Sequence, residues 1–183
     1  MSSLKIAVVL GTARVGRQSE RVYRFILGEL AKRRDVIIEP VDVRDFSFAA
    51  SAKPEDQDEA GKRWQAIAKE SDAFVIVTPE YNHSFPGELK LLIDSAEEEY
   101  LHKPVAVCGV SSGNFGGARA VEHLMNIFRY LGLIAIGESV YFPNMKPAGK
   151  NGPDSPETPI PVEAIGRLSK MFDELILLTN KVR

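Results

Sequence analysis

The chain alternates between short apolar runs and longer stretches in which apolar residues return every three or four positions. The run at 4–10, "LKIAVVL", suits a strand buried on both faces. From Ser19 the period lengthens. Val22, Ile26 and Leu30 share one side with Tyr23 and Leu27, while Arg21, Arg24, Glu29 and Lys32 take the other, which predicts a helix to about Arg34. A second strand is predicted over 35–43, where Pro40 points to a sheet edge. Residues 44–56 read as a loop, 57–70 as a helix carrying Trp64, Ile67 and Ala68, and 72–78 as a third strand. The turn-rich stretch 79–87 leads into a helix to about Tyr100, and 103–110 forms a fourth strand. A glycine-rich loop, 111–117, precedes a helix with the stripe Val121, Leu124, Met125, Phe128 and Leu131, ended by Gly132. Residues 133–142 make a fifth strand, the proline-rich 143–161 an irregular segment, and 162–181 a last helix.

Five strand–helix alternations imply a parallel sheet with helices on both faces. The expected architecture is α/β: a flavodoxin-like three-layer α/β/α sandwich, with a five-stranded parallel sheet in the order 2-1-3-4-5, residues 1–183 forming one domain. In such a sheet, ligands bind beyond the carboxyl ends of the strands, where strand order reverses. The loops after strands 1, 3 and 4 (11–19, 79–87 and 111–117) should therefore line one pocket.

Composition narrows the ligand. The 183 residues carry a formal charge of −2, so nothing draws the whole molecule to nucleic acid or to a membrane, and any basic site must be local. Cys108 is the single cysteine, which rules out an internal disulfide and fits a reducing compartment; its place within a strand makes it a small core residue. The N-terminal apolar run is too short to span a membrane and lacks a secretory cleavage pattern, so a cytoplasmic location is expected. His83, His102 and His123 have no metal-ligand spacing, and no metal is expected. Phe46, Phe48 and Trp64 read as packing residues.

"GTARVGRQS" (11–19) opens a helix, whose first N–H groups are unpaired at the positive end of its dipole. An anion is favoured there, and Thr12, Arg14, Gln18 and Ser19 can add donors. The competing view is a solvated turn with Ser19 as a helix cap and Arg14 and Arg17 in water. Gly11 and Gly16 have P-loop spacing, but Arg17 and Gln18 stand where a P-loop has its lysine and hydroxyl, which removes the nucleotide triphosphatase chemistry. "PEYNHSFPG" (79–87) is stiffened by Pro79 and Pro86 and offers the flat face of Tyr81 and a turn-prone Asn82. "SSGNFGG" (111–117) permits close backbone approach to a flat ligand; alternatively it is a plain strand-to-helix turn.

At these three loops the sequence resembles the NADPH-dependent FMN reductase family, which includes quinone, azo and chromate reductases. The marks are "GTARVGRQS" for its phosphate loop, "PEYNHSFPGELK" for its most specific motif, and the serine–glycine loop leading to "GGARA" at 116–120. The resemblance implies that Thr12, Arg14 and Ser19 bind the FMN phosphate with Gln18 close by. It implies that Pro79, Glu80, Tyr81 and Asn82 pass along the isoalloxazine ring, and that Ser111, Ser112 and Gly113 approach its other edge. Thr12 replaces the family's usual serine and keeps its hydroxyl, whereas "LLIDSA" after Lys90 replaces a frequent "NAIDWA" in a helix that often makes a dimer contact.

The implied activity is that of an FMN-dependent NAD(P)H oxidoreductase. A hydride would pass from the nicotinamide of NADPH or NADH to bound flavin, and then to a quinone, azo compound, metal ion or flavin acceptor. No side-chain acid or base is obligatory, so the sequence nominates no catalytic residue; Arg17 is a candidate for the extra phosphate of NADPH. The resemblance also implies a homodimer or homotetramer. The alternative is a flavodoxin-like FMN-binding electron carrier, or a regulatory domain, without nicotinamide activity.

Overall fold

The computed structural model describes residues 3–46, 52–151 and 156–183. The elements in chain order are β1 (Leu4–Leu10), α1 (Ser19–Leu30), β2 (Val36–Asp42), α2 (Glu59–Glu70), β3 (Ala73–Pro79), α3 (Gly87–Asp94), β4 (Pro104–Val110), α4 (Ala118–Leu131), β5 (Ile134–Ala135), β6 (Val140–Phe142) and α5 (Glu163–Val182). The sheet is parallel throughout and ordered β2-β1-β3-β4-β5, with β6 also paired to β4. This is the flavodoxin-like order expected from the alternation.

Burial explains the uninterrupted apolar strands. In β1, Ile6, Val8 and Leu10 face α1 and α5, against Val22, Ile26, Leu168, Met171 and Phe172, while Ala7 and Val9 face α2, α3 and α4. Both faces are covered, so no polar alternation survives. Cys108 is fully buried in β4 on the α1/α5 side. The opposite layer is rich in aromatics: Trp64 packs against Phe46, Phe74 and Tyr100, and its Nε1–H donates to the Tyr100 hydroxyl at 2.6 Å. Pro40 lies in β2, an edge strand as predicted, where a missing N–H breaks no ladder.

Several boundaries differ from the periodic pattern. α1 stops at Leu30, not Arg34, because 31–34 form a turn; Arg33 instead reaches Asp173 on α5 at 2.6 Å. α2 starts at Glu59, where the Asp58 side chain caps the helix by accepting the Gly61 N–H at 3.0 Å. α3 ends at Asp94, and Glu98–Tyr100 form a separate single turn. The fifth strand is broken into β5 and β6: between them the Gly137 N–H donates to Glu174 on α5 at 2.9 Å, and Glu138 pairs with Arg167 and Lys170 of the same helix. Helix contacts have taken the place of ladder bonds over those residues. Phe48 lies outside the described residues.

Register brings the loops together. Leu10 is aligned with Asp42 on one side and Val77 on the other, and Val77 with Cys108. The loops after β1, β3 and β4 consequently emerge at one edge of the sheet.

Candidate functional site

Those loops line an open cleft of about 170 Å³. Arg14, Gly16, Arg17, Gln18 and Ser19 come from the β1 loop, Pro79, Glu80 and Tyr81 from the end of β3, and Val110, Ser111 and Ser112 from the end of β4, with Met145 closing one side. The three loops singled out by sequence thus meet in one place.

The β1 loop turns at Gly16, whose φ of +70° is the left-handed region that suits glycine. After it comes the start of α1, whose first backbone N–H groups have no acceptor within the helix. Ser19 does not cap the helix. Residue Gln18 holds the cap position with no side-chain capping bond, and the Ser19 Oγ is a buried side-chain oxygen without a partner. A buried hydroxyl left unpaired costs about 1–3 kcal/mol, so the site has an unmet demand for an acceptor. The dipole of α1 likewise favours negative charge at this helix start.

Arg14 is exposed and lies over the Tyr81 ring, its guanidinium carbon 3.5 Å from the ring centroid. Arg17 does not point into water. It is buried, donates to both oxygens of Asp42 and to the Thr12 carbonyl, and lies 3.4 Å from Glu20. Its charge is therefore spent inside the protein, and the expectation that it meets the extra phosphate of NADPH is corrected. Partial burial opposes ionisation of Asp42, but the Arg17 guanidinium and the Arg44 N–H outweigh it and hold the carboxyl below its usual range.

The strip after β3 is a tight hairpin turn. Tyr81 and Ser84 exchange backbone bonds of 2.7 and 3.0 Å, and Asn82 and His83 both take positive φ (49° and 66°). Asn82 is therefore exposed at the turn tip and does not line the cleft, and His83 is exposed beside it. The Tyr81 hydroxyl meets the Thr12 hydroxyl at 2.8 Å; Thr12 is fully buried beneath the cleft wall and joins two loops there. Glu80 lines the cleft, and its carboxylate binds the Arg119 guanidinium at 3.0 Å and accepts from the Arg119 N–H at 3.3 Å, at the start of α4.

The loop after β4 is tied to itself and to the segment at and beyond the end of β6. Ser111 Oγ donates to the Gly113 carbonyl at 3.0 Å, and the N–H groups of Asn144 and Met145 donate to the carbonyls of Gly113 and Ser111, both at 2.9 Å. Gly113 is exposed and outside the cleft lining. Met145 was missed by sequence reasoning, because an irregular proline-rich segment carries no periodic signal to place it. The structural role of Arg17 was missed too, since its partner Asp42 lies on another strand. Among the described residues no cluster of three or more His, Cys, Asp or Glu could hold a metal, and no helix is long and apolar enough to cross a membrane.

Comparison with known proteins agrees with this geometry. A quinone reductase from Pseudomonas putida is 32% identical over 184 residues, covering 97% of this chain and 86% of that protein. A 2-hydroxy-1,4-benzoquinone reductase from a Burkholderia species is 31% identical over 141 residues, covering 74% of this chain and 76% of its own length. Among solved structures, the flavoenzyme NAD(P)H:(acceptor) oxidoreductase FerB from Paracoccus denitrificans shares the fold, with a TM-score of 0.77 at 23% identity over 98% of both chains. The family described as NADPH-dependent FMN reductase matches residues 4–146, a span that contains all three cleft loops. With the three loops meeting in one cleft and this match over most of its length, the chain belongs to the NADPH-dependent FMN reductase family, oxidoreductases that use FMN and NAD(P)H.

Proposed function

We propose that the protein, acting as one FMN-binding domain over residues 1–183, is an FMN-dependent NAD(P)H oxidoreductase that reduces small planar acceptors, quinones first among them. The observation that carries the reading is the unpartnered Ser19 Oγ at the start of α1, where the first N–H groups lack an acceptor within the helix, a demand that the phosphate of FMN meets. In this reading, Arg14 adds charge to the phosphate, Gln18 closes the cradle, and Thr12 supports it by holding Tyr81. The backbone of Pro79, Glu80 and Tyr81 runs along the ring, and Ser111 and Ser112 border its other edge, with Gly113 and Asn82 shaping the turns behind them. When bound, FMN supplies the two-electron relay between nicotinamide and acceptor.

The remaining work falls to the chain. It binds the anionic tail, orients the ring, and leaves space for substrates. The cleft is open, so a ring seated along these loops would keep one face accessible. A donor and an acceptor can then use that face in turn, which gives ping-pong kinetics. No ionisable side chain of this chain needs to move a proton. We further propose that the protein works in the cytoplasm as a homodimer or homotetramer, which light scattering of the purified chain checks.

The test is direct. Apoprotein mixed with FMN should bind it, NADPH or NADH should bleach the flavin bands under anaerobic conditions, and benzoquinone should restore them. Flavin binding without bleaching would make the protein an electron carrier; no flavin binding would end the reading.

A further inference from the structure

We propose that Arg17 and Asp42, assisted by Arg44, are positioning residues that hold the β1 loop in its phosphate-receiving shape before any ligand arrives. The inference rests on the flavin reading above.

The register of the sheet sets Asp42, the last residue of β2, directly beside Leu10, the last residue of β1. Across that junction the Arg17 side chain, 3% exposed, donates to both Asp42 oxygens and to the Thr12 carbonyl. Arg44 adds to the clamp. Its N–H donates to Asp42 Oδ1 at 3.0 Å, its Nε to the Ala13 carbonyl at 3.1 Å, and its Nη2 to the Arg14 carbonyl at 2.6 Å. Three successive loop carbonyls are thus drawn toward two guanidinium groups on the β2 side of the loop. Because a peptide unit is planar, fixing these carbonyls also fixes the N–H groups of Ala13, Arg14 and Val15. The first two donate to Glu88 Oε1 at 3.1 Å and to Thr12 Oγ1 at 3.3 Å, which holds the loop further. With those three planes set, the left-handed turn at Gly16 leads straight into the start of α1 and the unpartnered Ser19 Oγ. The clamp needs the planar fork of arginine, since an ammonium cannot hold a carboxylate bidentately and a carbonyl at once. Ordering the loop in advance removes a cost that the ligand would otherwise bear on binding.

The experiment compares FMN with riboflavin, which has the same ring and no phosphate. Apoproteins of wild type, Arg17→Met, Arg17→Lys and Asp42→Asn are titrated with each flavin by fluorescence quenching. Arg17→Met should weaken FMN about ten- to a hundredfold with riboflavin affinity unchanged. Arg17→Lys should recover part of that loss, and Asp42→Asn should fall between. Equal loss for both flavins, or no loss for either, overturns the inference. Should Arg17→Met fail to fold, Arg44→Ala, at an exposed side chain, should weaken FMN about threefold and spare riboflavin; parallel or absent change again overturns it. The wild-type titration judges the flavin reading separately: a wild type that binds neither flavin sinks both, whereas one that binds FMN leaves the variants to decide this one.

Discussion

The loops after β1 and β4 line the same cleft but are held in opposite ways. The β1 loop has its carbonyls tied by Arg17 and Arg44, the N–H groups of Ala13 and Arg14 paired with Glu88 and Thr12, and the buried Ser19 Oγ left unpaired. The β4 loop is bonded to itself at Ser111 and to Phe142, Asn144 and Met145 at and beyond the end of β6, and its shape is set by contact. A Cβ on Gly116 would lie 2.7 Å from that of Tyr141, and one on Gly117 2.7 Å from the Val110 nitrogen. One loop stores unmet hydrogen-bonding capacity, while the other is a rigid wall. The lesson is that two segments lining one cleft can be held by different means, one by guanidinium groups bonded to its carbonyls and the other by close packing.

Substitutions in the two loops should therefore act on different quantities. The largest effect is expected in the wall. Gly117 has a φ of +88° and no room for a methyl group, so Gly117→Ala should cost roughly 2–4 kcal/mol of stability. A lower urea midpoint at unchanged slope would show it; an unaltered midpoint would mean that close packing does not set this loop.

Next comes Arg14→Ala, which should weaken FMN by about 1.5–3 kcal/mol through loss of a charge-assisted contact. The ligand-free protein should change by less than about 1 kcal/mol, because only an exposed stacking on Tyr81 is lost. Isothermal titration and thermal melts separate the two quantities. Ser19→Ala should move them in opposite directions: the apoprotein gains about 1 kcal/mol by losing a buried unpaired hydroxyl, and FMN affinity falls by about the same amount. A variant apoprotein that melts lower than wild type would mean that the hydroxyl is already satisfied.

The smallest effect is a pH dependence. The Asp42 carboxyl is depressed in the folded protein, so its contribution is present above the unfolded value of about 3.9 and is lost as pH falls through the lower folded value. The stability gap between wild type and Asp42→Asn should accordingly be steady near neutrality and shrink below about pH 4. A gap that does not vary with pH would argue against the Arg17 pairing as its source.

Much of this was legible in the chain. Strands buried on both faces leave continuous apolar runs, so β1, β3 and β4 stood out, and Pro40 marked the edge strand. Local turn chemistry was legible as well, in the Asn82–His83 turn and in Gly117 before α4. The break between β5 and β6 was hidden, because it depends on Glu174, Arg167 and Lys170 reaching back from a later helix. The same limit governs Thr12 and Arg17. Each is polar, near a glycine, and plausible as a ligand donor, yet one is spent on Tyr81 and the other on Asp42.

By itself, then, the sequence determined the alternation of elements, the order of the sheet and the three loops that meet at its edge, since periodicity and turn propensity are properties of neighbours along the chain. Only the tertiary structure decided which polar groups in those loops remain free. A hydrogen bond or ion pair is settled by what lies within about 3 Å in space, and strand register brings residues as distant as Arg17 and Asp42 into that range.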